Sequence, residues 1–266
     1  MMNLGGDERI YPASMTKIMT ALLTIENLPD LNETITVPED IFEELTAQDA
    51  SVAGFNPYEQ PTVRDLLYGV LLPSGADACE TLARAVGGSE EGFVAMMNQK
   101  AEELGLTNTH FENCTGLHND NHYSTCRDIA VLMSECLKSD TFREIVTREV
   151  YTTEATASHP EGITLYDTML HRFTSYEMST TLENGAVIEG GKTGFTDEAG
   201  QCLVSFAEYG GEEYILVTAE AMTDSGSAVD SIADASTQSS MMSYLCITSS
   251  KSRYSEVIGA SMIFFW

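Results

Sequence analysis

The sequence has few basic residues: 13 lysines and arginines stand against 41 aspartates and glutamates, which gives a formal net charge of −28. So acidic a surface repels nucleic-acid phosphates and anionic lipid headgroups, which argues against nucleic-acid binding. The sequence has no apolar run near the roughly 18 residues that a membrane-spanning helix needs. Its first residues have neither the basic flank nor the apolar stretch of a signal peptide. The 266 residues are nevertheless enough to bury a large core.

Cysteine pairs and metal-binding patterns are also sparse. The six cysteines have neither a Cys-x-x-Cys pair nor dense spacing, which indicates buried small apolar side chains rather than a disulfide framework. His110, Cys114, His118 and His122 recur every four residues and would stack as zinc ligands on a helix. The asparagines and the glycine between them disfavour a helix, so we do not expect a zinc site there.

A serine and a lysine near the N-terminus have the spacing of a nucleophile and its base. Apolar residues recur with helical periodicity over residues 15–23, which places Ser14 at a helix N-terminus and Lys17 one turn along. A serine hydroxyl needs a base to remove its proton, and a helix N-terminus stabilises developing negative charge. Lysine serves as that base only if burial or a neighbouring cation lowers its pKa from ~10.4, and Lys192 is the candidate neighbour. Alone, Ser-x-x-Lys is common by chance.

A second serine, Ser74, lies in a loop between predicted helices. Thr62 and Asp65 form a capping box that opens the preceding helix, and Pro73 ends it. Further helices are predicted over residues 77–86, 93–104 and about 126–138. Glycines end the first two of these, and Thr125 caps the third. An ordinary helix cap is the alternative interpretation of Ser74.

Strands characterise the chain after residue 149. Residues 186–193 look extended, and residues 201–208 and 213–221 form a predicted β-hairpin. Because helices fill the middle of the chain and strands its later third, we predict an α+β layered domain with an inserted all-helical lobe.

The first of these strands carries Lys192-Thr193-Gly194. Lysine and threonine offer a cation and a hydroxyl to a carboxylate, while Gly194 lets a substrate backbone approach closely. The pattern alone is commonplace. Following a Ser-x-x-Lys and a serine-bearing interhelical loop, it becomes a specific signal.

With these motifs the chain resembles the serine D-alanyl-D-alanine carboxypeptidases, the low-molecular-mass penicillin-binding proteins. The resemblance covers about residues 9–221, and its main segments are residues 11–20, 71–78, 108–111, 116–117, 122–125 and 191–200. It implies a penicillin-binding-protein/β-lactamase-like α+β fold, an antiparallel sheet flanked by helices with an inserted all-helical lobe. We expect the catalytic domain to span residues 1–222, with the helical lobe at about 38–140. Residues 223–266 would hold its C-terminal helix and an uncertain tail.

The resemblance also implies catalytic roles for Ser14, Lys17 and Ser74. Ser14 would attack the carbonyl between the two terminal D-alanines of a peptidoglycan stem peptide, with Lys17 as base. Ser74 would relay a proton to the departing D-alanine. Water then hydrolyses the acyl-enzyme, and β-lactams acylate the same serine as covalent inhibitors.

Substrate binding is implied for Lys192, Thr193, Gly194 and Phe195. Lys192 and Thr193 would hold the terminal carboxylate, and the backbone N–H groups of Ser14 and Phe195 would hold the oxyanion. The family works in the cell envelope, outside the cytoplasmic membrane, or is secreted. Membrane association is left open, and the apolar tail 257–266 is an anchor, a docking strand or an accident of truncation.

Two positions depart from the family pattern. Ala76 stands where the family usually has asparagine, and we predict a slower enzyme rather than a dead one. Asp77 is no simple replacement, because one residue along a helix turns a side chain by ~100°. The strands that usually precede the nucleophile helix are not recognisable. We expect such strands to pair with the strand that carries Lys192, so their lack would open a sheet edge.

Three alternatives to the carboxypeptidase differ in class. A catalytically impaired peptidoglycan- or β-lactam-binding relative would be disabled by Ala76. A class A β-lactamase shares the outer motifs, but the chain has no Glu-x-x-Leu-Asn pattern between Ser74 and Lys192. A zinc protein would need the four-residue repeat to form a helix.

Overall fold

The structure is a computed structural model that describes residues 3–182, 185–221 and 261–265. Helices occupy most of its first two thirds. They are a 3₁₀ turn Ala13–Thr16, α1 Lys17–Asn27, α2 Ile41–Ala47, α3 Val63–Leu71, α4 Ala76–Gly87, α5 Glu90–Leu104, α6 Cys126–Cys136, α7 Asp140–Val146 and α8 Leu170–Ser175. Within the described ranges, each helix is too short or too polar to cross a lipid bilayer.

The strands form one large antiparallel sheet and one small hairpin. Their bounds are β1 Asn3–Leu4, β2 Val150–Thr152, β3 Thr164–Tyr166, β4 Val187–Thr196, β5 Gly200–Tyr209, β6 Glu212–Ala221 and β7 Ser261–Phe265. The large sheet has the order β1-β7-β6-β5-β4, and β2 pairs with β3. Gly210 and Gly211, with φ of 65° and 84°, make the tight turn of the predicted β5–β6 hairpin. Strand β4 is an edge of the large sheet.

Helix α1 is the centre of the molecule. Every residue from Lys17 to Thr24 is buried, as expected for a helix that is surrounded on all sides. It contacts α3, α4, α5 and α6, while the 3₁₀ turn before it contacts strand β4. One apolar core continues from α1 to Val204 and Phe206 on the sheet. The turn at Ser14 is therefore fixed at the junction of the helices and the sheet.

The local signals for helix ends are confirmed. The Thr62 hydroxyl accepts the Asp65 N–H at 3.1 Å, and the Asp65 carboxylate accepts the Thr62 N–H at 3.2 Å. Gly105 ends α5 in the left-handed region, with φ of 72°. Thr125 caps α6 by accepting the Asp128 N–H.

Four short elements were not predicted: α2, α7, α8 and the β2–β3 hairpin. Strands do predominate after residue 149, as predicted, but the short helix α8 also lies there. Helices of six or seven residues are too short to form on propensity alone, so contacts distant in sequence decide them. Helix α8, for example, begins where the Asp167 carboxylate accepts the N–H groups of Met169 and Leu170.

Strand β1 shows where the N-terminal segment pairs. Asn3 and Leu4 pair with β7, at the opposite edge of the sheet from β4. The expectation that a strand ahead of Ser14 pairs with the Lys192 strand was therefore wrong. The sheet order puts β7, β6 and β5 between them.

The domain boundaries stay a prediction, although α2–α6 all fall within residues 38–140. The helix expected in the C-terminal segment lies outside the described residues. Of the apolar tail, residues 261–265 form strand β7, which agrees with the docking-strand interpretation. The five cysteines within the described ranges are all buried, as predicted for small apolar side chains.

Candidate active site

Ser14 lies in a strained turn. It is the second residue of the 3₁₀ turn that leads into α1, and Ala13 before it has a left-handed φ of 45°. Such a conformation costs of order 1–3 kcal/mol for a residue other than glycine and persists only when its surroundings enforce it. Gly116 is part of that enforcement, since a Cβ there would lie 1.9 Å from the Ala13 carbonyl oxygen.

Lys17 reaches the Ser14 hydroxyl, as the helical spacing predicts. Lys17 Nζ lies 3.0 Å from Ser14 Oγ and donates to the Thr115 carbonyl oxygen at 2.6 Å. The side chain is buried, and this burial is the main cause that lowers the pKa of Lys17. The nearby Cys79, Cys114 and Asp77 act in the opposite direction. A lysine with this environment is suited to accept a proton from the serine.

Ser74 is part of the same site and is not a helix cap. Gly75 occupies the cap position of α4, and no side chain caps that helix. Ser74 is 6% exposed, has a left-handed φ of 66° and accepts a hydrogen bond from Lys192 Nζ at 3.0 Å. The alternative interpretation of Ser74 was therefore wrong. The loop instead directs its hydroxyl toward strand β4.

Lys192 is a second buried lysine. It donates to Ser74 Oγ and, at 2.9 Å, to the carbonyl of Thr193. Burial, followed by repulsion from Lys17, lowers the pKa of Lys192 to about 7, while Asp167 and Cys79 oppose the shift. The two lysines are thus electrostatic neighbours, but it is Lys17 that lowers the pKa of Lys192, and burial is the larger cause of both shifts.

Gly194 brings β4 against the nucleophile turn. A Cβ at Gly194 would lie 3.0 Å from the Ser14 nitrogen and 3.2 Å from Ala13 Cβ. Phe195 follows on the strand, is 56% exposed and lines the cavity mouth. Because Gly194 has no side chain, the backbone N–H groups of Ser14 and Phe195 can face one small region.

Position 76 carries no functional group into the site. Ala76 is buried, and its N–H donates to the Ser51 carbonyl at 2.7 Å. The neighbouring Asp77 carboxylate accepts the N–H groups of Ala53, Gly54 and Phe55 at 2.7–3.0 Å. Asp77 therefore holds a loop, as expected of a side chain that cannot replace the asparagine.

These side chains open on one cavity of about 630 Å³. Ser14, Lys17, Ser74, Thr193, Gly194 and Phe195 line it. It is also lined by Thr115, Thr168 and Arg172, which the sequence analysis did not identify. Thr115 acts through its backbone carbonyl, which leaves no mark in a sequence, whereas Thr168 and Arg172 belong to the unpredicted α8 region.

Among the described residues, the repeat of His110, Cys114, His118 and His122 does not form a metal-ligating group. His122 is buried against Thr16, with 2.8 Å between ring and hydroxyl, and burial lowers its pKa to about 3. Among the described residues, the ligating group that does form is Glu80, Glu90 and Cys114. Burial and the neighbouring Glu90 raise the pKa of Glu80 to about 8, so the carboxyl group of Glu80 keeps its proton near neutral pH.

Comparisons with known proteins agree with this geometry. The family model described as D-alanyl-D-alanine carboxypeptidase matches residues 1–223. The D-alanyl-D-alanine carboxypeptidase DacF of Bacillus subtilis is 36% identical over 83% of this chain and 54% of its own length. DacC of Escherichia coli is 34% identical over 82% of this chain and 52% of its own length. The chain thus spans about half the length of these relatives.

Solved structures give the same result. The crystal structure of a Streptomyces DD-transpeptidase is 32% identical, covers 91% of this chain and 90% of its own, and has a TM-score of 0.76. Penicillin-binding protein 5 of Haemophilus influenzae is 27% identical, with a TM-score of 0.66 over 80% of this chain and 58% of its own. The α+β penicillin-binding-protein fold predicted from the sequence is confirmed.

Proposed function

Because the chain belongs to the D-alanyl-D-alanine carboxypeptidase family, we propose that it removes the terminal D-alanine from peptidoglycan stem peptides. The observation that carries this proposal is a double pairing of lysine and serine. Lys17 with Ser14, and Lys192 with Ser74, are each 3.0 Å apart, and both serines line one cavity. Such pairs are what acyl transfer by a serine requires.

In the proposed reaction Ser14 Oγ attacks the carbonyl between the two D-alanines while its proton passes to Lys17 Nζ. A C–O ester bond forms, and the C–N peptide bond then breaks. The departing nitrogen receives a proton through Ser74, whose hydroxyl is hydrogen-bonded to Lys192. Water hydrolyses the ester, which releases the shortened peptide and restores Ser14.

The negative charge of the tetrahedral intermediate would lie at the N–H groups of Ser14 and Phe195. Each donor fixed in advance at an oxyanion contributes ~2.7–4 kcal/mol. The contact of Gly194 with the Ser14 nitrogen supports this location. Any side chain at Gly194 would push the strand and the turn apart.

The substrate's terminal carboxylate is assigned to Lys192 and Thr193. A cation and a hydroxyl at the edge strand fit this anion. The carboxylate also raises the pKa of Lys192 when it binds, and the charge on Lys192 disfavours a charge on Lys17. Substrate binding therefore favours the neutral Lys17 that can act as base.

β-Lactams would acylate Ser14 as covalent inhibitors, and no cofactor enters the reaction. As a member of a family of bacterial cell-wall enzymes, the protein would meet its substrate in the cell envelope. Ala76 lacks the amide that the family usually has, so the proposed enzyme is slow. A catalytically impaired binding relative is the competing function, and Ala76 is the observation that favours it.

Labelling with a fluorescent penicillin, read by gel and mass spectrometry, tests the proposal. We expect an adduct on Ser14 that is absent from Ser14→Ala. Ser51→Ala is the matched control, because Ser51 also lines the cavity but has no lysine partner in the described structure. Release of D-alanine from a pentapeptide then measures turnover. A folded protein that binds penicillin without an adduct would support the impaired relative instead.

A further inference from the structure

The turn that contains Thr168 lies outside the motifs of Ser14, Ser74 and Lys192, but it connects the last two of them. The Thr168 hydroxyl lies 2.6 Å from the Thr193 hydroxyl, and both side chains line the cavity. The Thr168 N–H donates to the Leu72 carbonyl at 3.1 Å, two residues before Ser74. One residue thus contacts both strand β4 and the loop that carries Ser74.

Asp167 fixes the backbone of this turn through hydrogen bonds. It is 2% exposed, and its carboxylate accepts the N–H groups of Met169 and Leu170 at 2.8 and 2.6 Å. Its own N–H donates to the Glu149 carbonyl at 2.8 Å. These bonds fix the backbone on both sides of Thr168. The carboxylate is also an electrostatic partner of Lys192.

We propose, on the basis of the proposed function, that Asp167 and Thr168 are positioning residues for the substrate's carboxylate. Thr168 fixes the hydroxyl of Thr193, and Asp167 supplies the negative charge that faces Lys192.

The direction of the hydroxyl bonds follows from the ligand. An ionised carboxylate only accepts hydrogen bonds, so Thr193 must donate its single hydroxyl proton to it. The oxygen of Thr193 is then available as an acceptor, and Thr168 is the donor that fills it. With Thr168 in place, the hydroxyl of Thr193 is oriented before the substrate arrives. Without it, that hydroxyl must be ordered on binding.

The charge of Asp167 acts on the protonation of Lys192. The groups that face Lys192 are Lys17 from α1, Cys79 from α4 and Asp167 from the turn before α8. Asp167 itself also faces Glu149. Burial and Lys17 lower the pKa of Lys192 to about 7, and Asp167 opposes this shift and so favours the charged form of Lys192. Its removal would favour a charged Lys17 and a neutral Lys192, which is the inactive distribution.

The role of Thr168 is tested by comparing wild type with Thr168→Val and Thr168→Ser. The readout is acylation by benzylpenicillin, which has a free carboxylate, and by its methyl ester, which has none. We expect Thr168→Val to lower the second-order acylation rate with the acid by about fivefold, the worth of one hydrogen bond. The ester rate should stay unchanged, and Thr168→Ser should restore the acid rate. Thr152→Val is the matched control, because Thr152 makes the same hydroxyl–hydroxyl contact with Thr164, at 3.3 Å on the β2–β3 hairpin.

The effect of the Asp167 charge on Lys192 is tested with Asp167→Asn, because this change keeps an acceptor for the backbone N–H groups and removes the charge. We expect a lower kcat/KM for a D-Ala-D-Ala peptide, with the alkaline limb of its pH profile moved to lower pH. Asp128→Asn is the control: Asp128 is a buried carboxylate that accepts the Asn108 N–H at 2.9 Å, away from the cavity. Asp128→Asn should leave the alkaline limb of the pH profile at its wild-type position.

The outcomes separate this inference from the proposed function. If wild type is neither acylated nor able to release D-alanine, the proposed function fails and the inference falls with it. If wild type is acylated but Thr168→Val equals it on the acid, the inference alone is overturned. Equal losses on acid and ester would also overturn it, because they would indicate a general distortion rather than the ordering of a carboxylate partner.

Discussion

Restoring an amide at position 76 is the most direct test of what Ala76 costs the proposed enzyme. Among the described residues, the Lys17 ammonium donates to Ser14 Oγ and the Thr115 carbonyl. An ammonium has three N–H groups, so one remains for an amide oxygen. Ala76 borders the same cavity, which puts an asparagine at this position within reach of both Lys17 and a substrate carbonyl.

The gain can be bounded from both sides. A donor fixed at a developing charge contributes ~2.7–4 kcal/mol of transition-state stabilisation. Ala76 is only 1% exposed, so the larger side chain must displace its neighbours, at a cost of ~1–3 kcal/mol. We therefore expect Ala76→Asn to speed acylation by about tenfold, which corresponds to ~1.4 kcal/mol.

Stopped-flow acylation by a fluorescent penicillin measures this rate. Ala76→Leu is the control, because leucine has nearly the shape of asparagine and no polar group, and it should give no gain. Thermal unfolding of each variant checks that the fold is retained. An Ala76→Asn protein that is folded but acylated no faster, or more slowly, would refute the reasoning.

Two further predictions concern the frame around the site. Gly116→Ala should lower the acylation rate about a hundredfold, because its Cβ would lie 1.9 Å from the Ala13 oxygen. Gly105 has a φ of 72° and open space around it, so Gly105→Ala should cost only about 1–2 kcal/mol of stability. Comparable acylation by the two variants would contradict the packing argument. Glu80 has its pKa raised to about 8 beside Glu90, so the folded state holds a proton that the unfolded chain has released. The free energy of unfolding should therefore fall as the pH rises from about 4.5 to about 8. Urea titrations at several pH values should show a weaker fall for Glu80→Gln. An unchanged pH dependence in this variant would count against the raised pKa of Glu80.

The parts of the fold that the sequence predicts well are those decided by neighbours in the chain. The capping box of Thr62 and Asp65 and the left-handed Gly105 are complete within a few residues, so their patterns are sufficient. The spacing of Ser14 and Lys17 is also local. By contrast, Ser74 and Lys192 are 118 residues apart. That both belong to one site was predicted only through resemblance to a family, and the contact between them was not predicted.

The parts that were missed depend on groups without a sequence signature. The Thr115 carbonyl that holds Lys17 is a backbone atom, which any residue could supply. Thr168 precedes a six-residue helix whose start depends on the buried Asp167, and neither periodicity nor propensity marks such a turn. The pairing of β1 with β7 joins the two ends of the sequence. Only the assembled sheet reveals it.

The two buried lysines explain why the site depends on the junction between helices and sheet. Lys17 comes from α1 and Lys192 from β4, and packing these elements together removes both ammonium groups from water. Burial lowers both pKa values, and the charge of Lys17 lowers the pKa of Lys192 further. Which lysine acts as the base and which binds the carboxylate therefore depends on the groups near each Nζ atom. Lys17 contacts a serine hydroxyl and a carbonyl and lies near Asp77, whereas Lys192 lies near Asp167 and, in the proposed complex, near the carboxylate of the substrate. In the proposed complex the substrate carboxylate would stabilise the charge of Lys192, and that charge favours a neutral Lys17 able to accept the proton of Ser14.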